Sequence, residues 1–476
     1  MHTTPAAIIL AAGQGKRMQS SLPKVVHPCL ALPMICHVVQ RAADVGCNPI
    51  VVVVSPSTRA HVADALAKHL PDQPVTFAVQ EVARGTGDAA RAGLDAIPAH
   101  RGQVVILYGD VPLLTQRTLT RLQEAAREAP LAFLTAHVTD ATGYGRVVRD
   151  AQGAAQEVVE HRDATEAQRA IHEVNAGVYW VADGLLREAV SSLSSDNAQG
   201  ELYLTDVVKL AAARGGATAV AVEDPDEVRG VNSRAELAAV EAILRRRLIA
   251  EHQARGVTFL APDQTFLGLE VTLERDVQIG VGVQLWGRTH VAEGARIAGP
   301  SVIIDSTVGP GAVVHAFSHL QSARMDAGAE AGPYARLRPD AVLEEGARIG
   351  NFVEVKASTL GKGAKANHLA YIGNATVGAG SNIGAGTITC NYDGFSKHKT
   401  EIGPKVFVGS NSTLVAPLKI GAGAFIAAGS TVTKEVPGDA LAFGRAQQTN
   451  REGYAKTLKE RLEAAKVRLS QGKKER

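Results

Sequence analysis

Aliphatic residues recur at every sixth position through much of the C-terminal half of the chain. The three clearest series are Leu273, Ile279, Leu285, Val291, Ile297 and Ile303; Leu337, Leu343, Ile349 and Val355; and Ile402, Val408, Leu414, Ile420, Ile426 and Val432. A helix would repeat about every 3.6 residues, and a half-buried strand every second residue. A period of six predicts a parallel β-helix, in which three flat hexads make one triangular coil and the aliphatic residue points inward.

Glycines and small residues accompany this period. A glycine often follows the aliphatic residue directly, as at Gly280 and Gly350, where we expect it to permit a corner. A small residue often stands two positions before it, as at Ala347 and Ser381. The polar stretch 390–399 interrupts the hexads and is too long for a corner, so we predict a functional loop there.

The N-terminal half alternates short apolar runs with helical stretches. The runs cover residues 7–10, 50–54, 75–79 and 104–107, and the helical stretches cover 57–69, 87–97 and 115–127. Continuous apolar runs are typical of buried parallel strands, which bind ligands at their carboxyl ends. We therefore predict an α/β fold that begins with a Rossmann-like domain over residues 1–228.

A helix is predicted over residues 233–251, capped by Ser233 and with Leu237 and Val240 on its apolar face. We interpret it as a connector within a linker of residues 229–256. The β-helix domain then takes residues 257–476, including a C-terminal tail that ends in basic residues and to which we assign no function.

Composition restricts the classes of function. The 476 residues carry 50 basic and 48 acidic side chains, a balance that does not favour a nucleic-acid partner. Four cysteines lack the spacing of a structural zinc site and suit a reducing compartment. The first apolar run is too short for a leader, and no segment approaches the ~20 apolar residues of a membrane span. We expect a cytoplasmic protein that does not bind membranes.

The first candidate site follows the first apolar run. There the chain reads Leu10-Ala11-Ala12-Gly13-Gln14-Gly15-Lys16-Arg17-Met18, and then Leu22-Pro23-Lys24. Small residues let backbone N–H groups approach an anion, and Arg17 and Lys24 supply charge for a polyphosphate. The string is neither a Walker loop nor a full dinucleotide fingerprint. Asp110 ends another predicted strand, where its carboxylate could hold a metal between phosphates.

These motifs closely resemble the signature of the sugar-phosphate nucleotidyltransferases. The resemblance implies in-line attack of a sugar 1-phosphate on the α-phosphate of UTP, with no protein nucleophile and with Arg17 and Lys24 stabilising the phosphates. It also implies a Mg²⁺ site at Asp110 and Asn232. The residues expected to bind UTP and the sugar nucleotide are Leu10, Ala11, Ala12, Gly13, Lys24, Gln80, Gly85, Thr86, Tyr108, Gly109, Asp110, Gly145, Glu160, Asn175 and Asn232.

The second candidate site lies on the predicted β-helix. The segments 367–373 and 386–394 closely resemble the acetyltransferase half of one family, the bifunctional N-acetylglucosamine-1-phosphate uridyltransferases and glucosamine-1-phosphate acetyltransferases. This resemblance covers nearly the whole chain in one order. It implies a left-handed β-helix, a homotrimer, acetyl-CoA as acetyl donor, and UDP-N-acetylglucosamine as a product that feeds peptidoglycan and lipopolysaccharide precursors.

The resemblance also implies roles for individual residues. His368 would take a proton from the amine of glucosamine 1-phosphate, Glu354 would orient the imidazole, and Asn391 would receive the oxyanion. The residues expected to bind glucosamine 1-phosphate are Arg338, Lys356, Tyr371, Asn382 and Lys397. Those expected to bind acetyl-CoA are Ala385, Asn391, Tyr392, Ser410, Ala428 and Arg445.

Two departures from the family and two alternative hypotheses accompany this interpretation. The chain has Arg84-Gly85-Thr86-Gly87-Asp88 where the family often has Leu-Gly-Thr-Gly-His, and Ala176 where a threonine is common. One alternative is a nucleotidyltransferase whose β-helix is only structural or regulatory. The other is a non-catalytic scaffold. The set that separates the first alternative from a bifunctional enzyme is His368, Glu354, Asn391, Tyr392 and Lys397, because a structural prism does not need them. The motifs of Lys24 and Asp110 speak against the second alternative.

Overall fold

The computed structural model describes residues 4–471, which form two compact units. The first runs to Thr272 and also includes Gln284–Arg288. The second consists of Leu273–Val283 and the chain from Thr289 onward. Each unit has its own core, and each carries one of the candidate sites.

The first unit contains a mixed sheet with helices on its faces. Its strands are β1 Ala6–Leu10, β2 Pro28–Cys29, β3 Leu32–Pro33, β4 Ile50–Val54, β5 Thr76–Val79, β6 Gln103–Tyr108, β7 Leu131–His137, β8 Arg146–Arg149, β9 Ala155–Val159, β10 Glu173–Ala182 and β11 Ala217–Ala221. Its helices are α1 Met34–Asp44, α2 Arg59–His69, α3 Thr86–Asp95, α4 Gln116–Ala125, α5 Glu166–Arg169, α6 Asp183–Ser192, α7 Asp206–Ala213 and α8 Arg234–Ala254. Short 3₁₀ turns cover Lys16–Met18, Lys24–Val26, Pro225–Val228 and Pro262–Gln264.

The strand order of the large sheet is β11-β7-β10-β6-β1-β4-β5, with the β8–β9 hairpin attached to β10. Strands β5, β4, β1 and β6 are parallel neighbours, as predicted from their continuous apolar runs. The side chains of β1, β4 and β6 are buried on both faces, as Ile8, Ile9 and Ile106 show, whereas the edge strand β5 is partly exposed. Strand β10 differs, because it lies antiparallel between β6 and β7. A hydrophobic run does not encode strand direction, so this reversal was not predicted.

Helix α8 begins with a capping box. The Ser233 hydroxyl accepts a hydrogen bond from the Glu236 N–H at 3.2 Å, and the Glu236 carboxylate accepts one from the Ser233 N–H at 2.9 Å. Leu237 and Val240 are buried on one side of the helix, and Ile249, nine residues after Val240, is buried on a different side. Short strands of the first hexads follow at Thr258–Phe259, Phe266–Leu267, Thr272–Leu273 and Gln284–Trp286.

The second unit is a left-handed β-helix whose three sheets consist of parallel strands. The first sheet contains Gln278–Ile279, Arg296–Ile297, Val313–Val314, Glu330–Ala331, Arg348–Asn351, Lys365–His368, Asn382–Ile383, Phe407–Val408, Phe425–Ile426 and Leu441–Ala442. The second contains Val302–Ile304, His319–Gln321, Arg336–Leu337, Glu354–Lys356, Tyr371–Gly373, Ile388–Cys390, Thr413–Val415 and Thr431–Val432. The third contains His290–Val291, Thr307–Val308, Arg324–Met325, Val342–Leu343, Thr359–Leu360, Ala375–Val377, Thr400–Ile402 and Leu418–Ile420.

The interior of the prism confirms the hexad analysis. Every aliphatic residue of the three series is buried, and so are the small residues Ala347, Ser381 and Ser412. Outside the coil that carries the loop at 390–399 and the last one, the register shows coils of 17 or 18 residues, since Arg296 pairs with Val313 and Glu330 pairs with Arg348. A strict count of three hexads would give 18 in every coil, so some corners are one residue shorter than predicted.

The glycines that follow the aliphatic residues have a different role from the predicted one. A Cβ added at Gly350 would lie 2.0 Å from the Asn367 carbonyl oxygen, and one at Gly280 would lie 2.7 Å from the Gly299 nitrogen. These glycines are therefore needed because the backbone of the next coil passes close by. The corners themselves use residues with positive φ, which include Phe352 at 58° and Leu369 at 51°.

The remaining C-terminal chain contains helix α9, Tyr454–Gln471, which ends the described part of the chain. The basic residues 472–476 lie outside it. Among the described residues, no helix is long and apolar enough to cross a membrane.

Candidate active sites

The parallel strands of the first unit end at one edge of the sheet, where a cavity of about 820 Å³ opens. Eleven of the predicted nucleotide-binding residues line it: Leu10, Ala11, Ala12, Gly13, Lys24, Gln80, Gly85, Thr86, Tyr108, Asp110 and Asn232. The cavity follows from topology, because β1, β4 and β6 run side by side and expose their carboxyl ends together.

Lys24, Asp110 and Asn232 meet within this cavity although they are far apart in sequence. The Lys24 ammonium pairs with the Asp110 carboxylate and donates to the Asn232 Oδ1 at 2.9 Å. Lys24 lies in the 3₁₀ turn Lys24–Val26, and Asp110 follows β6. The Val231 N–H donates to the Asp110 carbonyl at 3.0 Å, which joins the segment that carries Asn232 to the segment that carries Asp110.

The same oxygens fit a magnesium ion. Asp110 offers a carboxylate oxygen and Asn232 an amide oxygen, and both oxygens contact the Lys24 ammonium. Mg²⁺ prefers oxygen ligands, keeps several waters, and is usually held by one or two protein groups together with substrate phosphates. Among residues 4–471, no group of three or more His, Cys, Asp or Glu is arranged to hold a metal. A site completed by phosphate oxygens is therefore the kind that these residues can form.

Three of the residues expected to bind UTP and the sugar nucleotide, Gly145, Glu160 and Asn175, form a second group that is not part of the cavity lining. The Asn175 amide donates to the Tyr179 hydroxyl at 2.6 Å, and the Asn175 N–H donates to the Gly145 carbonyl at 2.9 Å. Burial raises the pKa of the Glu160 carboxyl, although a hydrogen bond from the Thr205 hydroxyl at 3.3 Å opposes this. A Cβ at Gly145 would approach the Glu160 carboxylate at 3.5 Å, so these groups share one region.

Two other predicted residues also lie outside the cavity lining. Arg17 is exposed on the 3₁₀ turn Lys16–Met18. Gly109 lies behind the cavity, where a Cβ would come within 2.9 Å of Ile35. Sequence reasoning missed Ser55, Ser57 and Glu201, which do line the cavity. Ser55 and Ser57 directly follow β4, so the general rule about strand ends was the available signal.

On the β-helix, four of the six residues predicted to bind acetyl-CoA, Ala385, Ser410, Ala428 and Arg445, lie along one corner, whereas Asn391 and Tyr392 lie in the loop after the following strand. His368, Ala385, Ser410 and Ala428 occupy corresponding positions in successive coils, one residue before the corner residue. Backbone hydrogen bonds join this column, from Asn411 N–H to the Ala385 carbonyl at 2.7 Å and from Gly429 N–H to the Ser410 carbonyl at 2.8 Å. Arg445 continues it, since its Cδ is 3.9 Å from a Cβ built at Gly429. The structure thus brings these residues together.

The imidazole of His368 contacts a residue that sequence reasoning did not select. His368 pairs in register with Asn351, and its Nδ1 lies 3.0 Å from the Asn351 Oδ1. Glu354, predicted to orient the imidazole, instead accepts a hydrogen bond from Arg338 at 2.9 Å. In the described part of the chain, His368 and Glu354 thus have different hydrogen-bond partners, Asn351 and Arg338. Shortened coils explain this result, because a separation of 17 residues places Asn351 and His368 side by side.

Positive side chains converge beside Glu354. Lys397 and Arg338 lower the pKa of the Lys356 ammonium, with the larger effect from Lys397. Glu354 balances only part of this charge through Arg338 and, at 3.8 Å, Arg336. Tyr371 is the register partner of Glu354 in the next coil. An unbalanced cluster of cations on an exposed face is suited to an anion such as a phosphate monoester. Asn382 lies on the adjacent sheet, paired with Lys365.

The predicted functional loop is a compact hairpin. Tyr392 and Lys397 form an antiparallel bridge, and the His398 N–H donates to the Asn391 carbonyl at 2.8 Å. The Asp393 carboxylate accepts from the Ser396 N–H at 2.7 Å and lies 2.7 Å from the His398 Nε2. These hydrogen bonds hold the pKa of Asp393 well below its usual value. These contacts therefore hold the loop that carries Lys397 and Tyr392 in one conformation.

Asn391, the predicted oxyanion donor, is buried at the base of this loop with 7% exposure. One of its amide hydrogens is already used, because Nδ2 donates to the Asn374 Oδ1 at 2.6 Å. A side-chain amide has two such hydrogens, so a second donor remains for an oxyanion.

Comparisons with known proteins agree with a nucleotidyltransferase domain followed by hexapeptide repeats. The profile of the MobA-like NTP transferase domain matches residues 7–201, and that of the bacterial transferase hexapeptide (six repeats) matches residues 399–434. A protein of Sorangium cellulosum named "Bifunctional protein GlmU" is 49% identical over 473 residues, 98% of this chain and 99% of its own length. Relatives of the same name from Stutzerimonas stutzeri and Anaeromyxobacter are each 47% identical, over 95% of this chain and 99% and 92% of their own lengths.

Proposed function

The chain belongs to the bifunctional GlmU family, and from this premise we propose that it makes UDP-N-acetylglucosamine in two steps. Acetyl-CoA first acetylates glucosamine 1-phosphate on the β-helix. UTP then reacts with the resulting N-acetylglucosamine 1-phosphate in the N-terminal unit and releases pyrophosphate. The chain carries a nucleotidyltransferase domain and transferase hexapeptide repeats, which are the two parts that these reactions require. The product would feed peptidoglycan and lipopolysaccharide precursors.

For uridylyl transfer, the residues of the cavity bind and orient the substrates. Lys24 neutralises triphosphate charge and the charge that develops on the leaving pyrophosphate, and Arg17 assists from the neighbouring turn. Asp110 and Asn232 would hold Mg²⁺, which would supply positive charge to the phosphates. Gln80, Gly85 and Thr86 hold the base, while Gly145, Glu160 and Asn175 hold the sugar. Positioning and neutralisation suffice for a phosphoryl transfer of this type.

For acetyl transfer, His368 removes a proton from the substrate amine as the amine attacks the thioester. The contact between its Nδ1 and the side-chain amide oxygen Oδ1 of Asn351 supports a tautomer in which Nε2 carries the free lone pair. Asn391 and the backbone near Ser410 receive the oxyanion. Arg338, Lys356 and Lys397 hold the phosphate, Tyr371 and Asn382 hold the ring, and Ala385, Tyr392, Ala428 and Arg445 hold coenzyme A.

We further propose a homotrimer formed through the β-helix. The hexapeptide repeats support oligomerisation, since they present flat faces for packing. Because UTP and acetyl-CoA are made in the cytoplasm, we place the enzyme there.

The cation cluster of Arg338, Lys356 and Lys397 is the observation that most favours two reactions over one. A β-helix that only supports a nucleotidyltransferase gains nothing from unbalanced charge near an exposed histidine. The full-length protein should be supplied with glucosamine 1-phosphate, acetyl-CoA, UTP and Mg²⁺, with thiol and pyrophosphate followed separately.

We expect thiol release without UTP, and pyrophosphate release only when acetyl-CoA is present or when N-acetylglucosamine 1-phosphate replaces the unacetylated sugar. Pyrophosphate release from the acetylated sugar without any thiol release from the unacetylated one would support the alternative, a monofunctional nucleotidyltransferase.

A further inference from the structure

The side-chain amide of Gln80 has its nitrogen fixed by two acceptors. Its Nε2 donates to the Asp88 Oδ2 at 3.0 Å and to the Gly85 carbonyl at 3.1 Å. Gln80 and Asp88 are each only 7% exposed. A carboxylate and a carbonyl oxygen can only accept hydrogen bonds, so the amide nitrogen has to face them. The orientation of this amide therefore follows from the chemistry of its neighbours.

Both acceptors are themselves held in place. The Asp88 Oδ1 pairs with Arg91, so the two oxygens of Asp88 serve different partners. At Gly85, a Cβ would lie 2.6 Å from the Leu202 carbonyl oxygen, which shows how closely this backbone is packed. The Leu202 N–H donates to the Arg84 carbonyl at 2.8 Å and fixes the segment from the other side.

Gln80 and Gly85 line the cavity of the first unit, whereas Asp88 does not. Since the amide nitrogen is turned toward Asp88, the amide oxygen is the group that Gln80 retains for a ligand. Uracil offers one hydrogen-bond donor on its pairing edge, the N3–H, and cytosine has a lone pair at that position. An amide oxygen matches the first and repels the second.

We infer that Asp88 is a positioning residue that fixes the Gln80 amide and so makes the nucleotide site selective for uracil over cytosine. The inference rests on the proposed uridylyl transfer and deepens it. It also gives a role to Asp88 in the segment that departs from the family pattern. Selectivity of this type depends on a buried polar group that is left unpaired by the wrong base.

The substitution Asp88→Asn tests this assignment with little change of shape. Arg91 donates hydrogen bonds and would keep the oxygen of the new amide, so its nitrogen would face Gln80. Two donors would then oppose each other, and the Gly85 carbonyl would be the one acceptor left for the Gln80 nitrogen, so the amide would no longer be fixed in a single orientation. Arg91→Gln is the matched control, because it removes the shorter ion pair of Asp88 and leaves both the longer one, with Arg84 at 4.0 Å, and the contact between Asp88 and Gln80.

The experiment compares kcat/KM for UTP and CTP, measured by pyrophosphate release with N-acetylglucosamine 1-phosphate. We expect the UTP-to-CTP ratio to fall about tenfold or more in Asp88→Asn, partly through a gain with CTP, and to stay unchanged in Arg91→Gln. Asp88→Ser, which also removes the carboxylate, should lower the ratio too. Thermal denaturation identifies which variants are folded.

A wild-type ratio in folded Asp88→Asn and Asp88→Ser would overturn the inference while leaving the proposed function intact. An equal fall in Arg91→Gln would also overturn it, because the effect would then come from the ion pair. A wild-type enzyme that releases no pyrophosphate from UTP would overturn the proposed function itself, and the inference with it.

Discussion

The contact between His368 and Asn351 leads to a prediction that separates two views of the acetyl-transfer site. In the structure the imidazole Nδ1 lies 3.0 Å from the Asn351 Oδ1, while Glu354 pairs with Arg338 at 2.9 Å. If Asn351 orients the base, Asn351→Ala should lower kcat for acetyl transfer. Glu354→Gln should act mainly on KM for glucosamine 1-phosphate, because it frees Arg338, which is expected to bind the phosphate.

The expected size follows from the kind of interaction that is lost. A hydrogen bond between neutral groups contributes about 0.5–1.5 kcal/mol net. His368 is exposed, so its ring can rotate once the contact is gone. If the loss of this orientation raises the activation free energy by about 1 kcal/mol, kcat falls roughly fivefold.

Thiol release should be measured while each substrate is varied, so that kcat and KM are obtained separately. Uridylyl transfer by the same preparation serves as the control, and we expect it to be unchanged in both variants. The reasoning is refuted if Asn351→Ala keeps the wild-type kcat and Glu354→Gln loses it, since Glu354 would then orient the base during turnover.

Three further predictions concern single residues. His368→Ala should abolish thiol release and leave pyrophosphate release from N-acetylglucosamine 1-phosphate nearly intact; loss of both would contradict independent sites. Asp110→Asn should do the reverse, and full uridylyl transfer in this variant would remove Asp110 from the metal site. Burial alone would raise the pKa of Glu173, but hydrogen bonds from Arg149 at 2.6 and 2.8 Å outweigh burial and lower it. The stability gained from this pair is therefore present above the usual pKa of a glutamate and lost as the pH falls through the lowered value. Glu173→Gln should reduce stability at pH 7 by about 1 kcal/mol, and the difference in stability between variant and wild type should shrink in acid. A difference in thermal stability that is equal at pH 7 and in acid would contradict this.

Periodicity was sufficient to predict the β-helix because each hexad repeats the same arrangement of a buried aliphatic residue and a small residue beside it. The aliphatic positions, the small residues and the interruption at 390–399 are all visible in the sequence, and the structure places them as expected. The role of glycines such as Gly350 was misjudged, because close approach between coils is a tertiary property that the sequence of one coil does not show.

The sites were predictable as sets of residues and less so as contacts. Lys24, Asp110 and Asn232 belong to separate sequence motifs. Their contacts depend on which strands end at the same edge of the sheet. Asn351 was missed because its proximity to His368 depends on a coil of 17 residues, and a count of 18 would place it elsewhere. Strand β10 was not predicted to be antiparallel, because its buried residues carry no sign of direction.

The claim that two independent sites act in sequence is tested most directly by mixing two inactive variants. His368→Ala and Asp110→Asn should each fail to release pyrophosphate when glucosamine 1-phosphate is the only sugar, with acetyl-CoA, UTP and Mg²⁺ present. An equimolar mixture should release it after a lag, because acetylated sugar made by the second variant diffuses to the first. A mixture that stays inactive, although each variant retains its own half-reaction, would contradict the account.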